Sequence, residues 1–299
     1  MKRGEARPER VNMATVRVMH ISDIHFGHSH VAEHVAAAEA LAVEAADTQS
    51  PLDAIVVSGD LSQRARVGEF RAARALLDRL GSVAPLLVVS GNHDAEWWRA
   101  PLGIGDSARV HDRWRRIIGT PLEPTLRVPG VSIVGLNSAP GVMPWTLTWN
   151  PRDVRVKGGL TAAQLADARQ RLEASPPGDL RVLVFHHNLV RGQLSNRWGL
   201  ARPCETLDAI ATIGPDVVCN GHDHEERAEV VVRPGGMLLA STANTLSRRA
   251  RGKRVASLNL IEATARDVTV GVWHYDAEGR TFARQAQTSA PRRRRSGTG

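Results

Sequence analysis

Gly91-Asn92-His93-Asp94 follows the apolar run Leu86–Val89, so a predicted β-strand ends in side chains that can bind a cation or move a proton. An Asn amide oxygen is a hard metal ligand, a histidine can act as a general acid or base, and Gly91 allows the backbone to turn tightly. Among the polar stretches of the chain, this one is the most informative.

Ligand-type side chains follow four other apolar runs, each of which is predicted to be a strand. They are Asp23-Ile24-His25 after Val16–Ile21, Gly59-Asp60 after Ala54–Val57, His186-His187 after Val182–Phe185, and Gly221-His222-Asp223-His224 after Val217–Cys219. Side chains two residues apart in extended backbone point the same way, so each Asp-x-His or His-x-His pair can face one cation. Each stretch alone is a weak signal, since Gly-Asp is usually a turn, but together they predict a metal site.

Helical segments alternate with the first strands. Successive strand ends lie roughly 30–40 residues apart, the spacing of strand–helix–strand crossovers in a parallel sheet. The predicted helices are Val31–Ala46, Gly68–Leu80 ending at Gly81, Ser107–Ile118, Ala162–Ala174 with Thr161 as N-cap, and Pro203–Ile213. After His224, short strands are predicted at Glu229–Val232, Met237–Ala240, Ala256–Ile261 and Val268–Trp273, and we expect them to form a second sheet packed on the first.

The chain is predicted to hold one domain over residues 14–276, between a basic N-terminal arm (1–13) and a basic, polar C-terminal tail (277–299). Met13 directly precedes the first strand, so residues 1–12 are either outside the native chain or a disordered arm. The formal net charge is +8. The four arginines Arg292–Arg295 favour a solvated tail, with weak contact to nucleic acid or anionic lipid as the alternative.

No stretch approaches the about 18 apolar residues of a membrane span, and no secretory signal precedes the first strand. The two cysteines, Cys204 and Cys219, lack metal-site spacing and are expected to be buried, reduced thiols of a cytoplasmic protein. Five of the seven tryptophans lie in the segment Ala95–Gly159. We expect them to form a satellite hydrophobic core; the alternative is that Trp97 or Trp145 lines a substrate pocket.

The ordered motifs resemble those of the calcineurin-like metallophosphoesterases, over a region from about Val16 to about Tyr275. The resemblance implies an α+β fold of four layers, αββα, in which two facing mixed β-sheets form a sandwich flanked by helices. It also implies a dinuclear metal site on the loops at one edge.

Carried over residue by residue, the resemblance implies two groups of metal ligands that share one carboxylate. One group would be Asp23, His25, Asp60 and His224, and the other Asp60, Asn92, His186 and His222. His186 is expected to be the ligand rather than His187 because the family's ligand is the first residue after that strand. Asp60 is expected to bridge the metals through both oxygens, and His93 and Asp94 are the expected catalytic residues, with Asp94 orienting His93. Asn137 and Asp223 are candidates for outer contacts.

Within the family, the chain looks most like the class III cyclic-nucleotide phosphodiesterases. The supporting residues are His20–His25, Gly135–Ser138, Gly159-Leu160 leading into Thr161–Gln164, and the pair His186-His187. One departure is Asn188-Leu189, where that branch commonly has prolines. This loop is expected to border the substrate pocket.

The predicted reaction is hydrolysis of a small phosphodiester by a metal-bridged hydroxide, with His93 assisting the leaving group. The mixed Asp, His and Asn ligands suit two divalent or mixed-valence ions of Mn, Fe or Zn. Another phosphatase, pyrophosphatase or nuclease activity is the alternative, and a non-catalytic binding protein is the second one. No nucleic-acid recognition motif accompanies the basic charge, and the sequence leaves the oligomeric state open.

Overall fold

Two six-stranded β-sheets form the centre of the molecule, which is represented by a computed structural model. The structure describes residues 15–28, 31–46, 51–99, 107–147, 149 and 153–293. The predicted N-terminal arm (1–13) and the end of the arginine run, Arg294–Arg295, lie outside these residues.

The first sheet contains both ends of the described chain. In spatial order it is β12 (Thr281–Pro291), β11 (Asp267–Asp276), β10 (Ser257–Ala263), β1 (Val16–Ile21), β2 (Ala54–Val57) and β3 (Leu86–Val88). The strands β1, β2 and β3 are parallel, and β10 pairs antiparallel with β1. The sheet is therefore mixed, with its parallel half built from the first three strands.

The second sheet contains the middle of the chain. In spatial order it is β4 (Thr125–Val128), β5 (Val131–Gly135), β6 (Leu180–Val184), β7 (Val217–Asn220), β9 (Gly236–Thr242) and β8 (Arg227–Arg233). Its four central strands, β5, β6, β7 and β9, are parallel, and the two edge strands are antiparallel.

Helices cover the outer faces of the two sheets. On the first sheet they are α1 (Val31–Ala46) and α2 (Val67–Val83), and on the second α5 (Ala162–Glu173) and α6 (Pro203–Ile213). Two short helices, α3 (Ser107–Val110) and α4 (Asp153–Val156), lie in the connections. The predicted N-cap of α5 is confirmed, because Thr161 Oγ1 accepts the backbone N–H of Gln164 and the Gln164 side chain accepts the N–H of Thr161.

Alternation along the strands explains the layers. In β1, Val18 faces the other sheet while Met19 and Ile21 face the helices, and in β6, Val182 faces the first sheet while Leu183 faces α5 and α6. Apolar side chains thus fill three spaces, one between the sheets and one under each helical layer. The four-layer αββα sandwich of two mixed sheets is confirmed.

Two sequence predictions about the C-terminal part were wrong. The strands after His224 do not form a sheet of their own: β8 and β9 complete the second sheet, and β10–β12 complete the first. The segment 277–291, predicted to be part of a polar tail, contains β12. This strand pairs along its length with β11, and Phe282 and Ala290 near its two ends are buried in the core, while most of the residues between them are exposed.

Other predicted boundaries also shifted. Gly81 lies within α2, which continues to Val83, and the predicted helix Ser107–Ile118 is divided into α3 and a turn of π-helix at Trp114–Ile118. Cys219 is buried as expected, but Cys204 is exposed; both are free thiols. Within the described residues, no helix has the length and apolar character needed to cross a membrane.

The tryptophans of the segment 95–159 do not share one core. Trp114 is fully buried against Phe70, whereas Trp149 is fully exposed and Trp98 is 41% exposed. Trp97 and Trp145 are half-buried. The predicted satellite core therefore reduces to Trp114, which packs into the main core under α2.

We predict that Trp114→Ala lowers the free energy of unfolding by about 3–5 kcal/mol, because it leaves a large cavity beneath α2. Urea denaturation followed by circular dichroism measures the change. Trp149→Ala is the matched control and should change the free energy by no more than about 0.5 kcal/mol. Equal losses in the two variants would contradict the packing described for Trp114.

Candidate metal centre

The predicted metal-binding side chains lie at one edge of the sandwich. In a parallel arrangement the carboxyl ends of neighbouring strands meet at the same edge, where crevices for ligands form. The loops after β1, β2 and β3 reach this edge from the first sheet, and the loops after β6 and β7 reach it from the second. The structure brings all seven predicted metal donors together there.

One group of donors consists of Asp23, His25 and His224. Asp23 Oδ1 lies 3.2 Å from His224 Nε2 and 3.7 Å from His25 Nε2. The two imidazole nitrogens are 3.1 Å apart. Three donor atoms from the ends of β1 and β7 thus face a common point.

A second group consists of Asn92, His186 and His222. Asn92 Oδ1 lies 3.1 Å from His186 Nε2 and 2.9 Å from His222 Nδ1. The two nitrogens are 3.3 Å apart. The neighbouring His187 lies differently, with its Nδ1 2.8 Å from Ser138 Oγ, and the assignment of His186 rather than His187 as the ligand stays a prediction.

Asp60 lies between the two groups. Its Oδ2 is 3.7 Å from His25 Nε2 and 3.3 Å from His186 Nε2, so a single oxygen faces both. The other oxygen, Oδ1, accepts the backbone N–H of His93 at 2.8 Å. Asp60 Oδ2 is thus the oxygen that faces both donor groups, while Oδ1 is held by the backbone of His93. That Asp60 bridges two metals through both oxygens stays a prediction.

Hydrogen bonds on the far side of the donors fix their orientation. His186 Nδ1 lies 2.8 Å from the carbonyl of Ser58 and His224 Nδ1 lies 2.9 Å from the carbonyl of Arg249, so each ring donates there and directs Nε2 into the crevice. Asp23 Oδ2 accepts from Ser22 Oγ at 2.6 Å and from the backbone N–H of His222 at 2.9 Å. The outward-facing atoms of these three side chains are thus held by hydrogen bonds, and Nε2 of each imidazole and Oδ1 of Asp23 face the crevice.

These residues fit a metal centre. Asp23 Oδ1 is fully buried and has no hydrogen-bond partner among the described residues, an arrangement that costs free energy unless a cation is bound. His25, Asp60 and His93 also present atoms within 4.8 Å of one another. A set of carboxylate, amide and imidazole donors suits Mn, Fe or Zn better than Mg or Ca.

The site strongly favours positive charge. Burial alone would raise the pKa of Asp60, yet His186 and His93 hold it well below its usual range. Burial opposes protonation of His186, but the carboxylates of Asp60 and Asp23 raise its pKa to about 9. Burial lowers the pKa of His25 to about 4, so this ring is neutral and can donate its lone pair to a cation.

The backbone is strained where the donors lie. Asp23, His25, Asp60, His222 and His224 all have φ between 51° and 75°, in the left-handed region. Such residues cost about 1–3 kcal/mol each and persist only where the surroundings hold them. The conformation turns the chain sharply after each strand and directs both members of each pair into the crevice.

The loop at Gly91 holds the Asp60 carboxylate in place. A Cβ on Gly91 would collide with Asp60 Oδ1 and with the Asp60 backbone nitrogen. This close approach allows the loops after β2 and β3 to lie side by side, so that Asp60 and Asn92 reach the same crevice.

His93 and Asp94 have different environments. His93 is half-buried, its Nδ1 lies 2.7 Å from the carbonyl of Gln63, and its ring is 4.9 Å from that of His25. The Asp94 carboxylate is buried and accepts the backbone N–H groups of Gly91, Leu61 and Ser62. Asp94 therefore ties the loops after β2 and β3 together, and the expectation that it orients the His93 ring directly was wrong; the Gln63 carbonyl does so.

The remaining predicted contacts lie outside the donor groups. Asn137 Oδ1 accepts from Ser90 Oγ and from the N–H of Ala139, so it shapes the loop after β5. Asp223 accepts from Ser195 and pairs with Arg251 at 3.2 Å. Neither residue is hydrogen-bonded to one of the seven donors.

Sequence reasoning missed three contributors. Ser58 and Gln63 act through backbone carbonyls, which carry no signal in the sequence. Arg249 follows β9, whose carboxyl end lies at the same edge, and its guanidinium NH1 is 3.4 Å from both His93 Nε2 and His25 Nδ1. An arginine in the loop after a strand can indicate a residue of the site. Here that inference requires knowing that β9 belongs to the second sheet.

Two cavities flank the donors. One, of about 500 Å³, begins at Asn92 and His93 and continues between Trp97, Trp98 and Arg113. The other, of about 250 Å³, begins at His222 and continues along Asn188, Arg197 and Trp198. The short helix α4 lies between them, because Val156 lines both cavities.

Comparison with known proteins agrees with the family that the sequence motifs resemble. The family model for calcineurin-like phosphoesterase matches residues 16–226, which is more than half of the chain. A search with the sequence against curated proteins found no match.

Several solved structures share the fold at low sequence identity. A purple acid phosphatase, PPD1, from yellow lupin (Lupinus luteus) superposes with a TM-score of 0.60 at 10% identity, covering 93% of this chain and 54% of that protein. PhoD gives a TM-score of 0.64 at 11% identity, covering 94% and 70%. GAP50, described as the anchor in the inner membrane complex of Plasmodium, gives 0.54 at 11%, covering 94% and 90%. The chain thus spans about half the length of the lupin phosphatase.

We predict that Gly91→Ala lowers the affinity for Mn²⁺ at least about tenfold, because the added methyl group displaces Asp60. Isothermal titration calorimetry with the metal-stripped protein measures it. Gly81→Ala is the control: its Cβ meets open space within α2, and the change should leave metal affinity unaltered while stabilising the fold by about 0.5–1 kcal/mol. Equal Mn²⁺ affinity in the two variants would contradict the role assigned to the Gly91 loop.

Proposed function

We propose that this chain, which belongs to the calcineurin-like phosphoesterase family, is a metal-dependent hydrolase whose substrate is a small phosphodiester such as a cyclic nucleotide. One observation carries the proposal. Two groups of donors share Asp60 Oδ2 on the floor of a crevice that opens into a cavity on each side. A diester has substituents on two ester oxygens, and cavities on both sides of the donors give them room. In a cyclic nucleotide both oxygens belong to one ribose, and one of the cavities would take the base.

We assign the donors to two cations as the geometry groups them. One would be held by Asp23, His25, Asp60 and His224, and the other by Asp60, Asn92, His186 and His222. When bound, the two cations polarise the phosphoryl oxygens and make a water nucleophile available near neutral pH. The protein's part is to keep these donors fixed and to handle the proton of the leaving group.

His93 is the residue best placed for that proton. Its Nδ1–H donates to the Gln63 carbonyl, so the opposite nitrogen, Nε2, faces the crevice. In its protonated form the ring donates from Nε2 to the departing ester oxygen. The bond from the His93 backbone N–H to Asp60 Oδ1 couples the position of this acid to the shared carboxylate.

The cavity next to His93 supports a substrate with an aromatic group and a phosphate. Trp97 lies 5.9 Å from Trp98 in an edge-to-face pair, and both line the cavity together with Arg64 and Arg66, which are exposed. Indole rings stack on nucleobases, and guanidinium groups bind phosphate. A nucleotide fits these surroundings better than an aliphatic ester does.

The loop at Asn188 supports a substrate specificity different from that of the class III phosphodiesterases that have prolines at this position. Asn188 Nδ2 donates to the carbonyls of Val190 and Arg197, so it folds the loop back on itself. Trp198 and Arg197 on this loop line the cavity beside His222. The residues that replace the usual prolines therefore shape the second side of the pocket.

We predict that Asp60→Asn lowers kcat for bis(p-nitrophenyl) phosphate by more than about 10²-fold, since loss of even an outer contact of a metal ligand costs 10–100-fold. His93→Ala should lower it by about 10²–10⁴-fold through loss of the acid. Both are measured on Mn²⁺-loaded protein. Asp78→Asn, an exposed residue of α2, is the control and should behave as wild type. Near-wild-type turnover in both site variants would remove the proposed roles.

We predict that Trp97→Ala reduces kcat/KM for cyclic AMP by about 5–150-fold, the value of one stacked base, and leaves the rate with bis(p-nitrophenyl) phosphate nearly unchanged. The ratio of the two kcat/KM values is the measurement, with Trp149→Ala as control. A wider panel of cyclic GMP, 2′,3′-cyclic nucleotides, glycerophosphodiesters, a phosphomonoester and single-stranded DNA then ranks the substrates. A preference for the monoester over every diester would refute the proposed phosphodiesterase activity.

A further inference from the structure

The side chain of Arg249 lies against the candidate metal centre, beside His93 and His25. It lies in the loop between β9 and β10, is half-buried, and reaches across the crevice from the second sheet to the loops of the first. Its NH1 donates to Gln63 Oε1 at 3.1 Å and lies 3.4 Å from His93 Nε2 and 3.5 Å from His25 Nε2. One guanidinium nitrogen thus stands between the expected acid and the first donor group.

The backbone of the same residue is anchored to that donor group. The Arg249 carbonyl accepts from His224 Nδ1 at 2.9 Å, and its N–H donates to Ser247 Oγ. The preceding loop is held to β1, because Thr245 Oγ1 donates to the Asp23 carbonyl at 2.5 Å. The side chain therefore starts from a fixed point within the site rather than from a free loop.

Several arginines at this edge pair with carboxylates, whereas Arg249 has no such partner among the described residues. Arg113 pairs with Glu96 at 2.8 Å, Arg251 with Asp223 at 3.2 Å, and Arg254 with Glu226 at 2.7 Å. Arg249 makes no ion pair with a carboxylate anywhere in the described part of the chain. NH1 is engaged by Gln63, but Nε and NH2 have no hydrogen-bond partner among the described residues, and a guanidinium edge of this kind is suited to bidentate binding of phosphoryl oxygens.

We propose that Arg249 binds a non-bridging oxygen of the substrate's phosphoryl group and stabilises the negative charge that grows on it during hydrolysis. The assignment rests on the proposed phosphoester site and adds a residue to it. Its NH1 lies next to His93 Nε2, so the same guanidinium is within reach of the oxygens on the leaving-group side. Charge stabilisation of this kind is worth most in a crevice from which water is excluded.

A competing role has a different signature. A guanidinium beside His25 could balance the buried carboxylates of Asp23 and Asp60 and so compete with metal binding. Removing the charge would then tighten metal binding and leave phosphate affinity unchanged. If Arg249 binds the phosphoryl group, removing it weakens phosphate binding and leaves the metal content unchanged.

The test uses the full chain, loaded with Mn²⁺, with Arg249→Gln and Arg249→Lys as variants and Arg248→Ala, an exposed neighbour, as control. Isothermal titration calorimetry measures the affinity for inorganic phosphate, and elemental analysis measures the bound Mn²⁺. We expect Arg249→Gln to weaken phosphate binding by about 10–150-fold, as for loss of a charged hydrogen bond, with unchanged metal content. Arg249→Lys should retain part of the phosphate affinity, because lysine keeps the positive charge but cannot form the two parallel hydrogen bonds of a guanidinium.

Phosphate affinity within about twofold of wild type in Arg249→Gln would overturn the assignment, as would a change confined to the metal content. A wild-type protein that binds Mn²⁺ but no phosphate would overturn it too. Circular dichroism melting shows whether the variants are folded, and the Lys variant serves if the Gln variant is not. Wild-type turnover of bis(p-nitrophenyl) phosphate, measured separately, decides the proposed function independently of Arg249.

Discussion

The buried carboxylate of Asp60 is the constraint on which this structure depends. One of its oxygens faces donors from both sheets, and the other holds the backbone of His93. A second buried carboxylate, Asp23, leaves one oxygen without a hydrogen-bond partner in the described chain. Two such groups in a low-dielectric crevice need positive charge nearby. The surrounding imidazoles, the fixed carbonyls behind them and the tight approach at Gly91 all serve to bring cations to these oxygens.

Much of the site could be predicted from the sequence because its chemistry is local. Asp23 with His25, and His222 with His224, are pairs two residues apart at the end of a strand, so spacing and periodicity place both members of a pair together. The choice of His186 over His187 depends on the family resemblance, and His186 Nε2 lies 3.1 Å from Asn92 Oδ1. Most strands and the main helices were found from apolar periodicity, with ends displaced by one to three residues, which is the usual precision of such boundaries.

What could not be predicted depends on contacts between distant parts of the chain. Nothing in the sequence indicates that β10 pairs with β1 while β9 joins β7, so the four C-terminal strands were assigned to one sheet. That error hid Arg249, since its loop reaches the site only if β9 lies beside β7. It also hid β12, whose polar residues are held by pairing with β11. Asp94 was misjudged because its sequence position next to His93 says nothing of where its carboxylate points.

The left-handed backbone at five of the seven donors has a consequence for laboratory evolution. Replacing a strained Asp or His by Gly would relieve the torsional cost at that position. The free energy of unfolding would rise even though a metal-binding side chain is lost. A library selected only for heat resistance, without assaying turnover, would therefore drift toward inactive variants concentrated at this edge. We expect the variants of this chain with the highest melting temperatures to keep the two-sheet fold and to lose catalytic activity.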